Sequence, residues 1–212
     1  MAFPESGADS AVHVADASVL INLAATGRCA EILAALGAPI VLVDVVLREL
    51  QRGSANGHGA LEHIEPLLRS GQVRVVAMEA TDEFPYLSLV AGGTAETLDD
   101  GEAATLVVAA RLKGIALIDE RKATAIAKRR FPALDLRSTT ELLFATLPDE
   151  GDSVGPLADA LFSALQGARM RVPTHWQARV VEVLGAERSR LCNSLPVHLR
   201  HPLDRAADTL PI

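Results

Sequence analysis

The chain has 212 residues and a formal charge of −7, with 49% hydrophobic residues but only 3% aromatic ones. That length suits one large domain, or a domain with an appendage, whose core is built from Ala, Val, Leu and Ile. The acidic balance argues against a broad basic nucleic-acid surface, no stretch approaches the roughly 18 apolar residues of a membrane span, and the distant Cys29 and Cys192 match no metal or redox spacing.

From the amino end, an apolar run at Val12–Ala15 predicts a first strand that leads into Asp16 and helices over 17–26 and 28–36. A second strand at Ile40–Val43 runs into Asp44 and a helix over 45–52. A helix over 59–69 and a strand at Val73–Ala77 follow. Gly53 and Gly57–Gly59 punctuate a loop without matching a Gly-rich phosphate fingerprint. The stretch Thr81–Thr97, with Pro85 and Gly92-Gly93, reads as a loop with at most one helical turn. Next come a helix over 100–113, a strand at Ile115–Ile118, Asp119, a helix over 120–130, a weaker strand at Ala133–Leu136 and a helix over 138–146. Strands alternating with helices predict parallel pairing through right-handed crossovers. The fold class is therefore α/β, an open parallel sheet flanked by helices, with its site beyond the carboxyl ends of the strands.

Gly151–Gly155 marks a break. Residues 1–150 are expected to form the domain, and residues 151–212 a helical extension that packs on it or on a partner. In that extension PLADALFSALQGARM and THWQARVVEVLG read as amphipathic helices, and Asn193–Ile212 as an extended tail. The extension carries a net charge of +1 and the first 150 residues −8, so the acidity belongs to the expected domain.

Asp16, Glu49, Glu102 and Asp119 each sit where an apolar run gives way to a helix, or on a helix's buried side. Singly, most have an ordinary explanation. Asp16 and Asp119 suit helix N-caps, and Asp99 with Glu102 fits a capping box in which Asp replaces Ser or Thr. Glu49 is harder to dismiss, because Val45, Val46, Glu49 and Leu50 share one helical face. A buried acid needs a cation, a hydrogen-bond network or a metal, and Arg52 is the candidate for a salt bridge. Jointly, acids converging on one rim supply the oxygen ligands that Mg2+ or Mn2+ favours, and such ions activate water and orient a phosphodiester. Ser18 reads either as a hydroxyl serving that site or as a plain helix-start residue.

The ordered set Asp16-Ala17-Ser18-Val19-Leu20-Ile21, then Arg48-Glu49-Leu50, Gly101-Glu102-Ala103 and Leu117-Ile118-Asp119-Glu120-Arg121-Lys122-Ala123 resembles a PIN domain over roughly residues 12–146. It is most similar to the bacterial and archaeal branch that includes toxins of toxin–antitoxin pairs. The resemblance implies a metal-dependent ribonuclease on a parallel sheet. Asp16, Glu49, Glu102 and Asp119 fall on the acidic catalytic and metal positions, and Ser18 on the hydroxyl position. Glu120 follows where an acid is common, as an outer ligand or a surface residue, and Asp44 stands where relatives often have Pro. An antitoxin partner and a homodimer are expectations from the family alone.

Arg121-Lys122 and Lys128-Arg129-Arg130 give the helix after Asp119 a basic character suited to flanking phosphates, with Arg121 and Lys122 the candidate contacts. The competing reading is a solvated face whose last-turn cations suit the helix dipole. Aromatic platforms for base stacking are scarce. The histidines form no zinc set, and no G-x-S-x-G elbow signals a serine hydrolase. The opening MAFPESGADSA lacks the regions of a signal peptide, so a soluble cytoplasmic setting is expected. The expected function is thus Mg2+- or Mn2+-dependent endoribonuclease acting on RNA. Its rivals are a non-catalytic binding module working through the C-terminal helices, and a metal-dependent DNA nuclease or phosphatase.

Overall fold

The computed structural model describes residues 11–55, 60–93, 96–151 and 154–201. The loop glycines Gly57–Gly59 and the tail beyond His201 lie outside the described residues. Five short strands, β1 (His13–Ala15), β2 (Ile40–Val43), β3 (Val73–Val76), β4 (Ile115–Leu117) and β5 (Asp135–Arg137), form one parallel sheet in the order β3-β2-β1-β4-β5. In register, His13 lies opposite both Ile40 and Ile115. β1, β2 and β4 are buried throughout, as the near-continuous apolar runs of a doubly covered sheet require.

The crossovers are helical. α1 (Ala17–Ala25) and α2 (Cys29–Leu36) join β1 to β2, and α3 (Asp44–Ala55) with α4 (Ala60–Ser70) joins β2 to β3. α5 (Glu83–Val90) and α6 (Asp100–Arg111) carry the chain from the β3 edge back across to β4, and α7 (Arg121–Arg130) and α8 (Thr139–Thr146) follow β4 and β5. Strand order therefore reverses about β1. The gap between the carboxyl ends of β1 and β4 is the switch point at which open α/β sheets bind ligands.

The segment 81–97 corrects the expectation of a loop. A 3-10 turn at Ala80–Asp82 runs into α5, an eight-residue helix. Pro85 is its third residue, in the first turn, where the missing N–H has no intrahelical partner to lose. Leu89 then anchors the helix in the core, and its carbonyl accepts from the Leu98 amide at 2.8 Å.

Beyond residue 151, α9 (Pro156–Gly167) and α10 (Gln177–Leu191) place Leu157, Leu161, Leu165, Val180 and Leu184 in the same apolar cluster as the sheet. Gly185, at φ 69°, interrupts α10 with a kink. The stretch expected to be an extended tail differs over its first part. Leu195 is buried, and α11 (Val197–Arg200) adds a helical turn that packs on α10. Among the described residues no single helix is long and apolar enough to cross a membrane.

Candidate active site

A cavity of about 440 Å³ opens at the switch point. Asp16, Ser18, Glu49, Asp99, Glu102, Asp119 and Glu120 all line it. The four acids singled out in the sequence thus come from four separate segments to one place. Among the described residues none that lines it is a histidine or cysteine.

Each acid is held by its local structure. Asp16 directly follows β1, and its backbone N–H extends the ladder to the Leu117 carbonyl at 3.2 Å. Its side chain caps α1, accepting from the Ser18 amide at 3.2 Å and the Ser18 hydroxyl at 2.6 Å. Ser18 therefore serves as both helix-start hydroxyl and positioner of a buried carboxylate.

Asp119 lies two residues beyond the end of β4. It accepts from Asn22 Nδ2 at 2.6 Å, from the Thr139 amide at 2.7 Å and from the Thr139 hydroxyl. Three donors from α1 and the start of α8 thereby fix one carboxylate.

Glu102 is the third residue of α6. Its amide donates to Asp99 at 2.8 Å, and its carboxylate accepts from the Asp99 amide at 3.4 Å. The capping box expected for this pair forms, and Glu102 lines the cavity as well.

Glu49, half-buried on α3, docks against the amino end of α6, where a Cβ on Gly101 would come within 2.4 Å of Glu49 Oε2. Only glycine admits that approach. Arg52, the candidate for a salt bridge, makes no ion pair with Glu49 among the described residues and lowers its pKa only in part; its Nε donates to the Arg48 carbonyl, and Arg48 pairs with Asp44 at 2.7 Å. Asp44 does not line the cavity.

The electrostatic result is uniform in sign. Burial raises the Asp16 and Asp119 carboxyls above the usual range, against the lowering effect of the Ser18, Thr139 and Asn22 hydrogen bonds. Burial, reinforced by the charges of Asp99 and Asp16, raises Glu49 to about 7 and Glu102 to about 8. Among the described residues none of these four acids forms an ion pair. An all-oxygen, uncompensated donor set of this kind fits a hard divalent cation such as Mg2+ or Mn2+ and is unlike a zinc site. Among the described residues no group of three or more Asp, Glu, His or Cys side chains is placed to hold a metal ion directly. An ion bound there would therefore keep several of its waters, as Mg2+ does.

Glu120 takes a different part. One oxygen caps α7 through the Lys122 and Ala123 amides, and the other accepts from Arg171 at 3.1 Å. Arg121 lines a neighbouring hollow, and Lys122 lines neither.

Sequence reasoning did not single out Asn22, Thr139, Arg169 or Arg171. Asn22 carried a readable signal, a polar residue one turn after Ser18 inside an apolar helix. Thr139 carried another, a hydroxyl just beyond a strand end. Arg169 and Arg171 reach the cavity from the connector after α9, and nothing in their spacing places them there.

Residues 12–186 match a protein-family model described as a PIN domain. No curated protein matches the chain.

Proposed function

The chain belongs to the PIN-domain family, typically metal-dependent nucleases, and on that premise we propose that it is a Mg2+- or Mn2+-dependent endoribonuclease. The observation that carries the proposal is the convergence of Asp16, Glu49, Glu102 and Asp119 on one cavity at the switch point, with no ion pair to any of them among the described residues. Those side chains would hold the ion partly through its retained waters. When bound, it supplies a Lewis acid for attack of water on phosphorus and for the departing oxygen. Ser18 orients Asp16, Asn22 and Thr139 orient Asp119, and the amino end of α6 fixes Glu49 and Glu102. With no imidazole or thiol among the described lining residues, acid–base work falls to the carboxylates.

RNA as substrate and restraint by an antitoxin are proposed from the similarity to the toxin-like branch of the family. The non-catalytic rival finds less support. The apolar faces of α9 and α10, its proposed partner surface, are largely spent on this chain's own core.

The test is cleavage of a mixed RNA pool by purified protein with Mn2+, Mg2+ or EDTA, beside Asp16→Asn and Asp119→Asn. Cleavage with either metal, absent in EDTA and lost in both variants, is the expected result. Intact RNA with either metal, from protein shown to be folded, would move the assignment to a binding module. Preferential turnover of DNA or of a phosphomonoester would move it to those substrates.

A further inference from the structure

Beyond Asp119 and Arg171 the acid cavity meets a second hollow, of about 540 Å³, and both residues line both spaces. The second hollow has the opposite character. Arg121 and Lys128 reach it from α7, Arg137 from β5, Arg171 from the connector after α9, and His175 from the turn before α10. Its acids are Asp119 and Glu141, and both are engaged. Asp119 accepts from Asn22 and Thr139, and Glu141 closes the cap of α8 through Ser138 at 2.7 and 2.8 Å.

The cations are largely uncommitted. Arg121 and Lys128 form no ion pair among the described residues, and Arg137 reaches Asp135 only at 3.9 Å. Arg171 pairs with Glu120 and stays 62% exposed. A chain with a net charge of −7 thus gathers cations on one side of its acid cavity.

The connector carrying Arg171 is pinned. Met170 is buried, and its amide donates to the Ala164 carbonyl at 3.1 Å. The preceding Arg169 takes a left-handed φ of 55°, unfavourable for a residue with a Cβ. A buried anchor and a tolerated strain together set Arg169 and Arg171 along the cavity wall. Arg121 and Lys128, seven residues apart, lie on one face of α7 and roughly 10 Å apart along its axis. That spacing is too wide for a single phosphate group and suits a chain of them.

We propose that this basic groove seats the nucleotides on one side of the scissile bond of an RNA strand, with Arg171 at the junction taking the first flanking phosphate and Arg121 and Lys128 those beyond. The proposal rests on the nuclease reading above and deepens it. The acid cavity repels a polyanion, so affinity has to come from beside it. Lys and Arg on successive phosphates provide it without reading sequence.

The experiment measures binding of a labelled 12-nucleotide RNA by anisotropy in EDTA, where no turnover occurs, across 50–200 mM salt. Steady-state cleavage of the same RNA and of a dinucleotide with Mn2+ accompanies it. The variants are Arg121→Ala/Lys128→Ala and Lys128→Glu, with Arg190→Ala, an exposed cation on α10, as the control. Both sites in the double variant are exposed, so its melting temperature should match wild type.

Expected are at least tenfold weaker binding, a salt slope shallower by about 1.4 for two lost contacts, and a raised KM on the 12-mer. The dinucleotide kinetics and the Arg190→Ala control should not change. Wild-type affinity and slope in both groove variants would overturn the groove while leaving the nuclease reading intact. Binding lost in those variants from a protein that cleaves nothing would support the groove and overturn the nuclease. Displacement of polyglutamate but not RNA by the groove substitutions would assign the site to an acidic peptide and overturn the proposal.

Discussion

Two groups of acids flank α6, one at each end, and the chain treats them in opposite ways. Near the carboxyl end Asp82 is 2% exposed, and Arg111 Nε reaches both its oxygens at 3.0 Å while Arg111 Nη1 holds Glu79 at 2.9 Å. At the amino end Glu102, 8% exposed, shares a cavity with Asp16, Glu49 and Asp119, and among the described residues none of them has an ion-pair partner. The first group is closed, each charge met by a guanidinium. The second is oriented by hydroxyls, amides and helix caps but not neutralised. Burying acids is expensive in either place. Where only stability is at stake the sequence supplies a cation, and where it withholds one the charge deficit is available to a ligand.

That contrast is broken most severely at Arg111. Removing one partner of a buried pair leaves an uncompensated charge, so Arg111→Ala should lower unfolding free energy by about 3 kcal/mol, measured by urea denaturation. Cleavage per folded molecule should be unchanged. A loss below about 1 kcal/mol would mean that the pair behaves as a surface contact and the two ends of α6 do not differ as argued.

The next largest effect lies at the other end. Gln can still complete the capping box, so Glu102→Gln should leave α6 intact and remove one uncompensated acid. Cleavage is expected to fall on the order of 100-fold, with stability at pH 8 equal to or above wild type. An active but destabilised variant would make Glu102 a structural residue like Asp82.

Gly101→Ala tests whether that placement matters. The new Cβ meets Glu49 Oε2 at 2.4 Å, and the flexible carboxylate rather than the helix has to move. Activity should fall roughly tenfold through misplacement, with little change in melting temperature, because Ala favours helix. Unchanged kinetics would show that the position of Glu49 is not critical.

Much of this plan was legible in the sequence, and the unread parts have a physical reason. Runs such as Ile40–Val43 and Ile115–Leu117 announce buried strands because a doubly covered sheet needs unbroken apolar residues. Asp16 and Asp119 stand out because they end such runs. α5 escaped because Pro85 and Gly92-Gly93 read as breakers, although the proline occupies a turn that tolerates it. Thr139 and Arg171 escaped for another reason. Their partners, Asp119 and Glu120, lie 20 and 51 residues away in the chain, and only the closed fold brings them together. Periodicity reports which way a residue faces, not what it meets there.

The smallest effect is the pH dependence of stability, and its sign follows from the raised carboxyls. Glu49 at about 7 and Glu102 at about 8 hold protons in the folded protein that the unfolded chain releases near 4.5. Folding therefore binds protons, and the stability these groups contribute is fully present below about pH 4.5 and lost as pH rises through 7 and 8. Asp16 and Asp119, also raised by burial, act with the same sign, and between pH 6.5 and 8.5 neither the His13 imidazole nor the two cysteine thiols should mask this. Burial lowers the imidazole of His13, so its destabilisation appears at more acidic pH, and the buried Cys29 and Cys192 thiols, raised to about 11, act at more alkaline pH. In EDTA the melting temperature should fall by roughly 3 °C across that window, a modest change because Glu49 is half-exposed and solvent screens it. Saturating Mn2+, offsetting the same repulsion, should flatten the slope, and so should Glu102→Gln. Arg111→Ala should lower the whole curve without flattening it. A slope that survives both Mn2+ and Glu102→Gln would place the proton uptake elsewhere and remove the distinction between the two ends of α6.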